Sequence, residues 1–238
     1  MNSQSANTYA ENNCILNNTY LHIPDLLSET EINDIRFLFR SGAFDDGKLT
    51  AYSAAKEVKS NLQLNHQTQE HAVIQQNILA ALNRNALFRN AVLPHSIHPF
   101  IISNYKPGMH YGWHVDSPVM GNMIRTDVAL TIFLNDPEEY DGGELELQTA
   151  NGNILYKLNK GDAICYPCTQ VHRVREVTRG ERNVAVSWVQ SLVKETVYRK
   201  MLFEIFQITE NLRNKALVEE EYLLLQQHYS NLLRMWAN

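Results

Sequence analysis

The feature that most limits how this chain can fold is a series of short β-prone runs in its middle. IHPFIISNY, VALTIFL, GELELQ, NILYKL, DAICYP, HRVREV and RNVAVSWVQS follow one another between residues 97 and 191, punctuated by Gly, Asn, Asp or Pro. Seven such runs at close spacing predict a sandwich, barrel or jelly roll. Asn151-Gly152, between two of them, is the signal for a type I′ hairpin turn.

Helical periodicity governs both flanks. In PDLLSETEINDIRFLFRSG, Ser28 and Glu31 have capping-box spacing, Ile32, Ile35, Leu38 and Phe39 share one face, and Gly42 is positioned to end the helix. Ile74, Ile78, Leu79 and Leu82 predict a second helix from Thr68 to about Asn85. Two more are expected after Val193, the first carrying Met201, Leu202, Ile205 and Ile208, the second Leu223, Leu224, Tyr229, Leu232, Leu233 and Trp236. The expected layout is a polar, loosely attached extension over 1–19, a helical flank over 20–95, a β core over 96–192 and a helical extension over 193–238. No Pro/Gly/Ser-rich linker divides these parts, so they are expected to form one compact unit.

Composition removes several function classes. With 44% hydrophobic and 20% charged residues the chain is neither disordered nor fibrous, and no apolar run approaches the roughly 20 residues needed to cross a membrane. The start, MNSQSANTYAENN, lacks the basic and apolar regions of a secretory signal, so a cytoplasmic location is the expectation. Three cysteines, Cys14, Cys165 and Cys168, cannot pair into a disulfide framework. A net charge of −5 gives no electrostatic reason to expect a nucleic-acid partner.

The stretch HYGWHVDSP concentrates metal-binding side chains. Residues at i and i+2 of a strand point to one side, so His114 and Asp116 can approach one ion together. Such a pair alone is weak, since a surface histidine near a capping aspartate looks the same. His172, opening the run HRVREV beyond DAICYP, supplies a third candidate. Two histidines and one carboxylate on a β scaffold are the facial triad of non-haem Fe(II) oxygenases. That set leaves three adjacent iron positions open, two for a bidentate 2-oxoacid and one for dioxygen.

Such a cosubstrate needs an anchor for its far carboxylate, and the planar fork of arginine suits it. If HRVREV and RNVAVSWVQS form a hairpin turning near Arg179, Arg182 shares the face of His172 about 13 Å along the strand. On that hairpin Arg173 and Arg175 face the other way and Arg179 lies in the turn, so Arg182 is preferred. His110 lies four residues before His114 and is a further ligand candidate, but in a strand or loop that spacing says little; His22, His66, His71, His95, His98 and His228 have no partner at ligand spacing. Cys165-Tyr-Pro-Cys168 lacks the further ligands of a zinc site and reads as a strand end. Gly142-Gly143 reads as a turn, since no helix follows it.

These residues sit in longer motifs: YKPGMHYGWHVD, RTDVALTIFLNDPEEYDGGELEL, KLNKGDAICYPCTQVHRVREVTRGER and VSWVQSLV, with KSNLQL before them and RKMLFEI and NLLRMW after. The chain thereby resembles the PKHD-type hydroxylases of the Fe(II)/2-oxoglutarate dioxygenase superfamily, from about residue 20 to the end. The resemblance implies an α+β fold, a double-stranded β-helix (jelly-roll) core flanked by N- and C-terminal helices. It implies His114, Asp116 and His172 as iron ligands, Arg182 as partner of the distal carboxylate of 2-oxoglutarate, and Tyr105 as a wall of the cosubstrate pocket. Phe133 stands where, on this resemblance, some prolyl hydroxylases carry a tyrosine hydroxyl, which leaves Thr131 as substitute donor and Phe133 as a wall.

The implied reaction hydroxylates an unactivated C–H of an amino acid, a peptidyl residue or a related small metabolite, with O2 as cosubstrate and ascorbate as candidate reductant. An intact Asp116 argues against halogenation, for which the carboxylate is replaced by a small residue. Lys59, Asn61 and Gln63, sharing one face if KSNLQL is a strand, are expected at the substrate rim with Arg125 and Trp188 beside them. Two rival readings are a nucleic-acid demethylase on the same scaffold and a non-catalytic metal-binding β-sandwich module. The C-terminal helices are a candidate homodimer interface.

Overall fold

Alternation along the strands creates two buried layers. The computed structural model describes residues 19–50, 54–121, 123–213 and 218–238. Its larger sheet runs in the order β1 (Leu21–Ile23), β14 (Ala163–Pro167), β10 (Val128–Phe133), β17 (Arg182–Ser191), β6 (Ile101–Tyr105), β4 (Leu62–Leu64) and β2 (Phe44–Asp46), with β5 (Pro94–Ile97) also paired to β17. The smaller sheet runs β13 (Gly152–Tyr156), β12 (Leu145–Thr149), β15 (His172–Val174), β7 (His110–His114) and β3 (Lys59–Ser60). Two short ribbons complete it, β11 (Tyr140–Gly142) with β16 (Val177–Gly180) and β8 (Val119–Met120) with β9 (Ile124–Arg125).

On β10, Val128, Leu130 and Ile132 pack toward helices, while Ala129 and Phe133 join the layer between the sheets. The same division separates Ala163 and Cys165 from Ile164 and Tyr166 on β14. The helical side is covered by α1 (Glu29–Ser41), α3 (Gln69–Arg84) and α4 (Ala86–Val92), through Ile35, Phe39, Ile74, Ile78, Leu82 and Phe88. Burying each such side chain contributes roughly 1.5–3 kcal/mol. The other face of the sheet meets Leu145, Leu147 and Val174 of the smaller one, giving the α+β jelly-roll architecture.

The first helix starts as its sequence dictates: Ser28 and Glu31 form a reciprocal capping box. It ends at Gly42, as expected. Gly42 has an ordinary negative φ of −79°. The site is closed to a side chain because a Cβ there would lie 2.2 Å from Leu64 Cδ1. The hairpin of β12 and β13 forms, but Thr149 pairs with Gly152, so Ala150 and Asn151 make the loop. Positive φ falls on Gly152 alone of these, which excludes the type I′ turn expected at Asn151-Gly152.

Residues 20–95 contribute more than helices, since β1, β2, β4 and β5 extend the larger sheet and β3 the smaller one, alongside the short α2 (Ala54–Glu57). Apart from Thr19, the expected N-terminal extension, including Cys14, lies outside the described residues. At the other end, α5 (Thr196–Arg213) and α6 (Glu219–Trp236) pack through Leu202, Tyr229, Leu232, Leu233 and Trp236 onto Leu93 and Val193. Met201, Ile208, Leu223 and Leu224 of the same periodic sets are 46 to 55% exposed. Among the described residues no helix is long and apolar enough to cross a membrane.

The outer face of the smaller sheet carries a charged knot. Glu146, 2% exposed, accepts hydrogen bonds from Arg173 and Arg175 at 2.7 Å and from Asn153. Arg175 first, then Arg173 and Asn153, hold its carboxyl at about 2 against the opposing effect of burial. A carboxyl lowered in the folded state stabilises above its ordinary value of 4.5, and that contribution is lost as pH falls toward 2. Glu146→Gln is expected to cost on the order of 2 kcal/mol at pH 7. Denaturant titrations should show a shallower loss of stability between pH 4.5 and 2 in the variant than in the parent.

Candidate active site

His172 and His114 face each other as paired residues of β15 and β7. Further along, Val174 pairs with Tyr111, so Gly112 and Trp113 of β7 oppose Arg173 alone on β15. This bulge puts Tyr111 on the side of His114 despite their odd spacing. The Tyr111 ring stacks on the His114 imidazole at 3.7 Å. Gly112 makes room for the bulge, since a Cβ there would lie 2.7 Å from Val58 Cβ.

Each imidazole is aimed by a backbone carbonyl. His114 Nδ1 lies 2.8 Å from the Gly112 oxygen and His172 Nδ1 lies 2.9 Å from the Gln170 oxygen. With Nδ1–H donating, Nε2 of each ring is left as a lone-pair donor toward the interior. Asp116, just past β7, brings Oδ1 to 3.9 Å from His172 Nε2. One ligand atom from each of His114, Asp116 and His172 lies within 4.8 Å of the others. This is the convergence expected from the sequence, and it is the one such cluster among the described residues.

The electrostatics suit a cation. Burial, and after it His172, push His114 down to about 3, so the ring is neutral near pH 7. Burial pushes the Asp116 carboxyl up, opposed by His172 and the Trp188 indole, and Oδ2 has no hydrogen-bond partner. A desolvated carboxylate beside two inward-facing ring nitrogens attracts a divalent ion.

The cluster opens into a cavity of about 550 Å³ between the sheets. Arg182 lines it, 1% exposed, with Nε and Nη1 lacking hydrogen-bond partners. Its guanidinium lies 5.1 Å from the Tyr105 ring centroid and 5.7 Å from that of Phe133, and no carboxylate pairs with it among the described residues. Leaving a buried cation unpaired costs several kcal/mol, so the site is built for an anionic ligand. Gly143 (φ +67°) allows this packing, because a Cβ would meet Arg182 Cδ at 2.9 Å. The donor set and the orphaned guanidinium together fit Fe(II) and the dicarboxylate 2-oxoglutarate.

The route by which Arg182 reaches the cavity differs from the hairpin expected. β15 and β17 belong to different sheets, and the segment between them turns aside to pair β16 with β11. Arg182 faces the triad because even-numbered side chains of β17 point between the sheets. Arg173 and Arg175 are on the outer face with Glu146, and Arg179 pairs with Asp141 at the surface.

Thr131, Tyr105 and Trp188 line the cavity. Lys59, Asn61 and Gln63 do too, but at 6, 3 and 5% exposure they are interior groups, not the rim expected. The chain there is not one strand: it crosses from β3 in the smaller sheet to β4 in the larger. Arg125 is absent from the lining, its guanidinium being held by Asp127 at 2.8 Å and the Ser191 carbonyl at 3.0 Å. Cys165 and Cys168 are buried and free, with burial pushing the Cys165 thiol up to about 12.

Sequence reasoning missed Tyr111 and Tyr166. Tyr166 stands edge-on to His172 at 5.3 Å with Thr131 beside its hydroxyl. Alternation along DAICYP carried a signal for Tyr166, whereas the bulge concealed Tyr111. A second groove of about 450 Å³ on the α1 side, lined by Arg36, Lys106 and Glu181, holds none of the three clustered residues.

Comparison with known proteins agrees with the geometry. The model described as 2OG-Fe(II) oxygenase superfamily matches residues 100–190, and that described as PKHD-type hydroxylase C-terminal domain matches residues 197–238. A solved oxidoreductase of the 2OG-Fe(II) oxygenase family from Burkholderia pseudomallei superposes with a TM-score of 0.53 at 18% identity, covering 71% of this chain and 84% of that one. A Trichoplax adhaerens prolyl hydroxylase, solved with a hypoxia inducible factor peptide fragment, gives 0.52 at 15%, covering 72% and 83%. Fold and site define an oxygenase of the 2OG-Fe(II) class.

A PKHD-type hydroxylase of Thermosynechococcus vestitus is 44% identical over 220 residues, 91% of this chain and 98% of that protein. One from Hyphomonas neptunium is 43% identical over 223 residues, 92% and 99%. The chain belongs to the PKHD-type hydroxylases, and is an oxidoreductase. Metal analysis of purified variants tests the cluster: His114→Ala is expected to lose stoichiometric Fe(II), whereas His110→Ala should retain it. Loss of metal from the His110 variant would mean that the ligand set is wrong.

Proposed function

We propose that this protein couples decarboxylation of 2-oxoglutarate to hydroxylation of an unactivated C–H in an amino acid, a peptidyl residue or a related small metabolite. The balance is substrate, 2-oxoglutarate and O2 in, hydroxylated substrate, succinate and CO2 out. The observation that carries this reading is the buried, unpaired Arg182 facing the same cavity as His114, Asp116 and His172. Fe(II), when bound, supplies the reducing electrons and open coordination positions for dioxygen chemistry.

The protein's own groups then have distinct tasks. Arg182 receives the distal carboxylate in a bidentate pair, with Tyr105 and Phe133 walling it on either side. The Gly112 and Gln170 carbonyls keep the two imidazoles in the metal-binding tautomer. Burial keeps the phenols of Tyr105, Tyr111 and Tyr166 protonated, so they serve as neutral walls and donors. Leu145, Val174, Val186 and Trp188 exclude water around the reacting carbon. Ascorbate serves as external reductant, keeping the iron ferrous between turnovers.

The direct test is a panel of amino acids, small acids and short peptides with Fe(II), 2-oxoglutarate, ascorbate and air, scored by succinate and a mass gain of one oxygen. Asp116→Ala should abolish succinate formation. Wild-type turnover in that variant would overturn the reading. Arg182→Ala removes a charged hydrogen-bonding partner worth about 1.5–3 kcal/mol, so its 2-oxoglutarate requirement should rise roughly 10- to 150-fold. An unchanged requirement would reassign the anchor.

A further inference from the structure

The cavity contains a second buried cation that the metal and cosubstrate leave unused. Lys59 lines it at 6% exposure. Its Nζ donates to Thr50 Oγ1 at 3.0 Å, and no carboxylate lies within ion-pair distance among the described residues. Asp46 acts on it only at longer range, and burial dominates, lowering the ammonium to about 8. Thr50 in turn donates to Gln63 Oε1 at 2.9 Å. The hydroxyl also lies 3.1 Å from the Gly47 carbonyl, and with the amide oxygen toward Thr50, Gln63 Nε2 is a buried donor without an acceptor among the described residues. The Lys59 ammonium and Gln63 Nε2 thus both line the cavity without a carboxylate partner among the described residues.

Their placement separates this need from that of Arg182. Gln63 pairs with Ser103 on β6, and Ser103 pairs with Val184 on β17. Gln63 thus lies two strands across and two residues along from Arg182, a Cα separation of roughly 12 Å at ordinary strand spacing. Lys59 Nζ is 5.2 Å from the Tyr111 ring centroid, and that ring stacks 3.7 Å from the His114 imidazole. The ammonium is therefore at most about 9 Å from a metal-binding ring. On the reading above, Arg182 is taken by the distal carboxylate of 2-oxoglutarate and Asp116 by the metal. Lys59 is the charge left over.

We propose that Lys59 and Gln63 form a carboxylate-binding subsite for the hydroxylated molecule, so that the substrate is a small acid oxidised within a few bonds of its carboxylate. The inference rests on the oxygenase reading above and narrows its substrate to a free acid in place of an internal peptide residue. Gln63 orients one carboxylate oxygen through Nε2, and Lys59 neutralises the charge.

The test uses full-length protein loaded with redox-inert Zn(II) and saturated with 2-oxoglutarate. Calorimetry follows the binding of small carboxylic acids and amino acids, each paired with its primary amide. At least one acid should bind ten times or more tightly than its amide. Lys59→Met should weaken that acid by tenfold or more, leave 2-oxoglutarate affinity within twofold, and be largely rescued by Lys59→Arg. The acid–amide comparison needs no variant, so a misfolded Lys59→Met protein would not shield the idea. Equal binding of acid and amide, no binding by any acid, or loss of 2-oxoglutarate affinity in Lys59→Met would overturn the subsite while sparing the oxygenase reading. Failure of the parent protein to bind 2-oxoglutarate at all would overturn both.

Discussion

The pairing of His172 with His114 across two neighbouring strands is the constraint from which the site follows. Cross-strand partners lie about 5 Å apart, close enough for two imidazoles to share one ion. Two carbonyls, from Gly112 and Gln170, then decide which ring nitrogen faces inward. Asp116, two residues past the end of β7 at His114, supplies the third member of the cluster. A register slip of one residue on either strand would send one imidazole outward and dissolve the cluster. The Glu146 knot, tying β12 and β13 to β15 on the outer face, opposes such a slip.

The interior charges are costly until the site is filled. Arg182 and Asp116 are both withdrawn from water without compensating hydrogen bonds on Arg182 Nε, Arg182 Nη1 and Asp116 Oδ2. Only the surrounding fold holds them there, with Ile102, Ile132 and Ala185 fully buried behind the same strands. Binding of a cation and an anion converts that stored cost into affinity, since groups already desolvated and oriented need no reorganisation.

Much of the scaffold was legible in the residues. Each of the seven β-prone runs contains a strand, and the two N-flank helices begin where Ser28 and Thr68 cap them. Local chemistry explains this, because alternation and capping act over a few residues. The failures share a different cause. The Arg182 hairpin was argued from adjacency in sequence, but β16 spends its hydrogen bonds on β11, forty residues away in some pairs. Lys59, Asn61 and Gln63 face one cavity because the chain changes sheets between them, a rule no strand period contains. Arg125 was expected beside the substrate rim, yet Asp127, two residues on, takes its charge.

What the sequence by itself determined is the inventory: which segments extend or coil, and which residues can bind a metal, an anion or a neighbouring backbone. These follow from side-chain chemistry and short-range periodicity. What only the tertiary structure decided is which members of that inventory meet: the bulge that stacks Tyr111 on His114, the crossing that buries Lys59, and the two apposed sheets that turn Arg182 toward the triad. Such meetings depend on long-range strand pairing, whose partners are selected by the collective burial of the whole core and not by any local run of residues.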